Sequence, residues 1–295
     1  MSIDVARYHG WPHATVGPWR AVLAIVRASL VQVFRRKAYW IVLAIALLHF
    51  LAFWTMIWIV TQVTDVPPEG RQRLLEFLGF SPHTRPGRDN AYVIFMEGQS
   101  LPVTILLAFT GSLLVGADFR DNALSFYLSR RIERRHYIAG KLLSVAALVA
   151  LLTTLPALLL FIEYGMFTSS FAYWRAQWRV PVAVLFYGAV LAATLSALLV
   201  TLSAYLQRMA PIAVTWATLF IMLRGIRRLM REQSIYWGLI DPWRDMHFVG
   251  RLAFDRFASD DERHFAWCAA AVLAAVIAIC LIALVRRVRA VEIVE

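Results

Sequence analysis

Six stretches of this chain are apolar for long enough to cross a hydrocarbon core of about 30 Å, and polar or arginine-bearing breaks separate them. In lipid every backbone polar group must be satisfied within the structure, so such runs fold as helices that bond their own backbone. The runs read as spans over 38–63, 91–117, 141–167, 180–205, 210–223 and 264–285, the fifth of them short. With 60% hydrophobic and 17% charged residues, the 295-residue chain is too apolar for an ordinary soluble domain. The expected fold is therefore an all-α polytopic membrane protein with six transmembrane helices. A formal charge of +11 comes almost entirely from arginine, since Lys37 and Lys141 are the only lysines. Cations that flank spans set topology or touch anionic lipid, so the basic balance gives no reason to expect a nucleic-acid partner.

Residues 1–17 read as a tail; with Asp4, Arg7, His9, Pro12 and His13 they lack the apolar core of a cleavable signal peptide. Residues 18–37 follow as an amphipathic interfacial helix. Trp19, Val22, Leu23, Val26, Leu30, Val33 and Phe34 recur at helical spacing, Arg20 and Arg27 lie elsewhere on the wheel, and Arg35, Arg36 and Lys37 close it. The same residues also suit an early extension of the first span. The rest, 38–295, is the six-helix domain, with a folded connector at 118–141 and large loops at 64–100 and 224–263.

Six spans put both termini on one side. The N-terminal segment, the connector, the turn at Arg208 and the tail carry excess cations, whereas 64–100 has four cations against five acids. Positive charge stays inside, so both termini are expected in the cytoplasm and both large loops outside. Arg224, Arg227, Arg228 and Arg231 run against this bias. The seven acids of 224–263 offset them, and Trp237 and Trp243 suit interface anchors, so this loop is expected to be an interfacial or re-entrant helical cap.

The chemistry of catalysis is missing. The histidines at 9, 13, 49, 83, 136, 247 and 264 are scattered without metal-ligand spacing, and no nucleophile elbow or paired carboxylate occurs in a span. Cys268 and Cys280, twelve residues apart on one helix, stand about 18 Å from each other and cannot bridge. Gly140-Lys141 lacks the rest of a phosphate loop, so no ATP hydrolysis is expected from this chain. Ionisable groups within spans are few: His49 reads as a packing residue, and Glu163 reads as hydrated near the end of the third span. Thr104, Thr110 and Ser112 in the second span are packing residues or line a pathway. Ala270, Ala274 and Ala278 form a small-residue column in the sixth span.

The connector carries the functional signal. It reads Asp-Phe-Arg-Asp from Asp118, then a helical turn with Leu124, Tyr127 and Leu128 on one face. Arg130, Arg131, Arg134 and Arg135 follow, and Tyr137 and Gly140-Lys141 reopen apolar sequence. The run Leu128-Ser129-Arg130-Arg131-Ile132-Glu133-Arg134 with Tyr137 and Gly140-Lys141 resembles the connector of the ABC-2 permeases, the membrane subunits of type-2 ATP-binding-cassette exporters. Arg131 stands where many relatives have proline. The permeases that work with separate ATPase chains, such as those of nitrous-oxide-reductase maturation, look nearest. The resemblance implies a homodimer, or pairing with a sibling permease, in a bacterial cytoplasmic membrane. It also implies two copies of an ATPase that holds ATP and Mg, possible accessory proteins on the outer side, and no cofactor in this chain. It makes 118–141 the coupling helix, docking the ATPase through Leu124, Tyr127, Leu128, Arg130, Arg131 and Arg134. A secondary carrier or a membrane-embedded enzyme would be the alternatives.

The inside-positive topology is testable by cysteine labelling in a background without Cys268 and Cys280. Cysteines at Pro68 and Ser259 are expected to label from outside, and one at Ser129 only after permeabilisation. Outside labelling at Ser129 inverts the topology.

Overall fold

A computed structural model describes residues 18–62, 91–121, 133–168, 171–230, 234–255 and 259–288, with isolated positions at 67, 69–70, 72–73 and 257. Among these residues the chain is helical and has no strand. Six of the helices are long and apolar enough to cross a membrane: Tyr39–Gln62, Ala91–Arg120, Arg134–Phe167, Arg179–Leu206, Met209–Met230 and Asp260–Arg287. Two of these differ from the sequence reading. The third begins at Arg134 rather than Lys141, because the charged side chains of its first turn are exposed and cost the helix nothing. The fifth continues to Met230 rather than ending at 223. A π turn over Thr218–Met222 carries the helix on, and its arginines find an acid beyond its end.

The third and fourth spans form the centre. Tyr137, Leu148 and Val149 from the third, Val184, Tyr187, Leu191 and Leu195 from the fourth, and Phe95 and Leu107 from the second are all almost fully buried. In the most apolar stretch of each helix, 50% or more of the residues are buried for the second to fourth spans. The figure is 11% for the first, 17% for the fifth and 22% for the sixth, so those three are peripheral within one protomer.

The third span breaks at Thr153. Pro156 supplies no N–H and crowds the preceding turn, and the Thr153 hydroxyl donates back to the Val149 carbonyl at 2.8 Å. The kinked helix then lies so close to the fourth span that only glycine fits at 188. A Cβ there would stand 2.0 Å from Thr154 Oγ1 and 2.9 Å from its methyl.

The N-terminal helix spans Pro18–Phe34 and packs against the start of the third span through Val22, Ile25, Ser29 and Val33. Its apolar residues fall into two sets, not one: Trp19 and Leu23 are exposed, on the side away from the protein. Arg27, Arg35, Arg36 and Lys37 are exposed as well. The helix ends before Arg35–Arg36, where Trp40 Nε1 donates to the Phe34 carbonyl at 2.9 Å, and Lys37 already belongs to the next helix. The boundary falls three residues earlier than the spacing suggests, because the chain must turn to enter the first span.

The segment beyond the fifth span is packed. A 3₁₀ turn, Ile235–Ile240, leads to Asp241, which caps the helix Pro242–Leu252 by accepting from Trp243 N and Arg244 N. The start of this inserted helix lies at mid-span: Trp243 meets Phe220 with ring centroids 6.0 Å apart and donates to Thr104 Oγ1 at 3.0 Å. Its other end emerges beside Arg179 and Arg263. Asp241 is buried and pairs with Arg227 at 3.1 Å and Arg224 at 3.8 Å, which sets one negative charge against two of the cations that contradict the charge bias.

Replacing Gly188 by alanine forces the third and fourth spans apart at the kink. Overpacking of this kind costs about 1–3 kcal/mol. Gly188→Ala is expected to lower the thermal midpoint in detergent, and adding Thr154→Ala to recover part of it. An unchanged midpoint in the single variant contradicts the close approach.

Candidate coupling site

The connector leaves the second span at Asp118 and re-enters the third at Arg134. These two helix ends are joined by one buried carboxylate. Asp118 Oδ2 lies 2.7 Å from Lys141 Nζ, and Tyr137 Oη donates to the same oxygen at 2.9 Å. Tyr137 and Lys141 share a face of the third span because they are four residues apart. The ammonium also donates to the carbonyl of Leu114 and stands 5.7 Å from the centre of the Tyr137 ring. Only 6% of the Lys141 side chain and 15% of the Asp118 side chain remain exposed, so the pair sits in low dielectric. Leu114 belongs to a π turn, Ser112–Gly116, and such turns widen a helix and re-aim its groups.

Neighbouring elements close on this pair. Gly140 lets Ile25 of the N-terminal helix rest on the third span, since a Cβ there would stand 2.9 Å from Ile25 Cγ2. Gly116 brings the second span onto the turn between the fourth and fifth, where a Cβ would meet the Gln207 carbonyl oxygen at 2.5 Å. Gln207 has φ of 59°, a left-handed conformation that a non-glycine residue adopts here to reverse the chain in two residues. Arg287 at the end of the sixth span lies 6.0 Å from the ring centre of Phe119 and 5.5 Å from that of Tyr205. The ends of the second, third, fourth and sixth spans thus meet around Asp118. Just outside, Asp121 accepts from Arg120 at 2.8 Å, and this bond holds its carboxyl below the usual range.

Of the docking residues read from the sequence, Leu124, Tyr127, Leu128, Arg130 and Arg131 lie outside the described residues. Arg134 opens the third span and is exposed. In the second span, Thr104 is a junction: its hydroxyl accepts from Trp243 and its carbonyl accepts from Trp216 Nε1 at 3.0 Å. Thr110 is fully buried with its hydroxyl turned to the Leu106 carbonyl, and Ser112 opens the π turn. His49 is stacked on Phe95, ring centroids 5.2 Å apart, and touches Phe53.

Glu163 corrects the sequence reading. It is 2% exposed rather than hydrated, and neither carboxyl oxygen has a hydrogen-bond partner among the described residues. Distance from the helix end suggested hydration, but the helix Phe171–Ala176 turns back over this part of the third span. Tyr173 there meets Tyr164 at 5.4 Å and Phe161 at 5.7 Å, ring to ring, and Trp174 lies in the notch left by Gly165.

Removing one partner of a buried ion pair costs about 3–5 kcal/mol, while replacing both by apolar residues is often neutral. Asp118→Asn and Lys141→Met are each expected to lower the thermal midpoint strongly, and Asp118→Leu with Lys141→Met to restore most of it. A double variant as unstable as the two singles summed contradicts a coupled pair.

Compared with known proteins, the chain matches no protein-family model, and a search of curated proteins finds no match either.

Proposed function

We propose that this chain is the permease subunit of an ABC-2 type ATP-binding-cassette exporter, set in a bacterial cytoplasmic membrane with both termini inside. A separate ATPase, in two copies, supplies ATP hydrolysis and docks on the 118–141 connector. The reading rests on the clamp of Asp118, Tyr137 and Lys141. A connector with free ends would absorb a push from a docked partner by flexing. One whose two ends share a buried ion pair passes the push to the second and third spans as a rigid element. Tyr137 and Lys141 of the clamp also belong to the run that carries the family resemblance. The weakly buried first and fifth spans offer the faces on which a second copy, or a sibling permease, would close a pathway. Thr104, Thr110 and Ser112 lie on the second span between them.

One observation favours a second reading. A buried carboxyl without a partner in a membrane helix is costly and often marks proton or cation coupling, so Glu163 suits a secondary carrier. A carrier needs no ATPase, and one experiment separates the two. The chain is co-expressed with its cognate ATPase and purified by a tag on the permease. The exporter reading predicts that the ATPase is retained, and that Tyr127→Asp, which puts a charge into an apolar contact, reduces retention about tenfold or more while the permease stays folded. A permease that purifies alone with the ATPase in excess, or a Tyr127→Asp variant that retains it fully, overturns the docking mechanism.

A further inference from the structure

At the end of the bundle remote from the connector, the fourth and sixth spans stand apart, and the inserted helix forms the floor between them. The gap is a cavity of about 770 Å³. Its mouth is lined by Trp178, Arg179, Asp255, Arg263 and Trp267, and its interior by apolar residues including Phe186 and Val249. A second groove of about 310 Å³ shares Phe186, Val249 and Ala270 with it and runs on along the same two spans to Thr194 and Ile277. From Arg179 to Thr194, or from Arg263 to Ile277, the continuous groove is about 20 Å long at 1.5 Å per residue. One leaflet of a bilayer is about 15 Å of hydrocarbon, so the groove has the length of a headgroup plus an acyl chain.

Two residues of the small-residue column read in the sixth span, Ala270 and Ala274, do not close this gap. Together with Ala189 and Ala193 of the fourth span they line the groove instead. Because the inserted helix holds the two spans apart at one end, these small side chains leave room for a chain of methylenes. The mouth has the opposite chemistry. Arg179 lies beside the Trp178 ring, 5.7 Å from its centre, and meets no carboxylate among the described residues. Arg263 donates to Asp255 at 2.8 Å and keeps further N–H groups for another acceptor. Trp178 and Trp267 are 59% and 63% exposed, in the manner of side chains that sit at a membrane interface.

Among the described residues the mouth holds two cations and one carboxylate, which fit a headgroup that carries a phosphate and an amine. A net anionic headgroup fits less well, because Asp260 and Asp261 stand exposed in the first turn of the sixth span, while the nearby Glu262 is taken up by Arg251. We propose that this groove is a binding site for a zwitterionic glycerophospholipid. Its phosphate rests on Arg179 and Arg263, its ammonium faces Asp255, and one acyl chain lies along the fourth and sixth spans. The site is on the flank of the protomer and is independent of the coupling site.

The test is native mass spectrometry of the purified full chain after exposure to phosphatidylethanolamine, phosphatidylglycerol or phosphatidylcholine. The wild type is expected to retain one phosphatidylethanolamine per chain in preference to phosphatidylglycerol. Arg179→Gln with Arg263→Gln is expected to cut retention about tenfold or more. Ala193→Leu with Ala274→Leu, which fills the groove and leaves the mouth untouched, is expected to do the same. Asp255→Asn should abolish the preference for the amine-bearing headgroup over phosphatidylglycerol. Monodisperse elution and an unchanged thermal midpoint certify each variant as folded, and the groove-filling pair keeps the test open if the arginine pair does not fold. Retention equal to wild type in the folded groove-filling variant overturns the site, and preference for phosphatidylglycerol overturns the headgroup assignment. A dimer that dissociates on filling the groove makes it a protein interface and overturns the proposal as well.

Discussion

The buried pair of Asp118 and Lys141 holds the connector end of this molecule together. Two ions in low dielectric repay their desolvation only with close geometry and further hydrogen bonds, and Tyr137 and the Leu114 carbonyl supply these. The requirement is spatial as well as energetic. Lys141 must lie deep enough to reach the π turn of the second span, Gly140 must be bare for the N-terminal helix to close over it, and Gly116 must be bare for the turn at Gln207 to seat. The carboxylate ties the second and third spans, and the ends of the fourth and sixth pack beside it on Gly116 and Phe119. The connector is thereby joined to the part of the bundle with the densest core.

The half of the bundle away from the connector is built on a different acid with the same logic. Asp241 caps the inserted helix and pairs with both Arg227 and Arg224, so one buried side chain lets a charged helix end and a polar helix start approach each other at membrane depth. The inserted helix then fixes the spacing of the fourth and sixth spans, since Gly250 packs directly on the Tyr187 ring. The two ends differ in what they offer to partners. The connector end presents exposed arginines beside the Asp118–Lys141 pair, and the far end presents tryptophans and arginines around an apolar groove.

Much of this was legible in the sequence. Uninterrupted apolar runs fix the six helices because lipid leaves the backbone no alternative, and the boundaries of the second, fourth and sixth spans fall within a few residues of the expected ones. The errors came from reading charge as a stop. Arg134 and Arg135 begin a helix whose first turn is simply exposed, and Arg224 and Arg227 continue one because a partner seventeen residues or fewer along the chain takes them up. Asp118, Tyr137, Gly140 and Lys141 stood out as a motif, but local pattern carries no information on tertiary contact, so their convergence on one another was not. The burial of Glu163 was hidden for the same reason: it depends on a short helix folding back from beyond the span.

The central claim is that the clamp makes the connector base one mechanical body with the second and third spans. It is tested most directly by spin labels at Arg120 and Arg135, both exposed and on opposite sides of the clamp, in a background without Cys268 and Cys280. Pulsed electron–electron distance measurement is expected to give one narrow distribution with Lys141 in place and a broadened one with Lys141→Met. Equal widths with and without Lys141 would contradict the claim, because the two helix ends would then be held by something other than the buried pair.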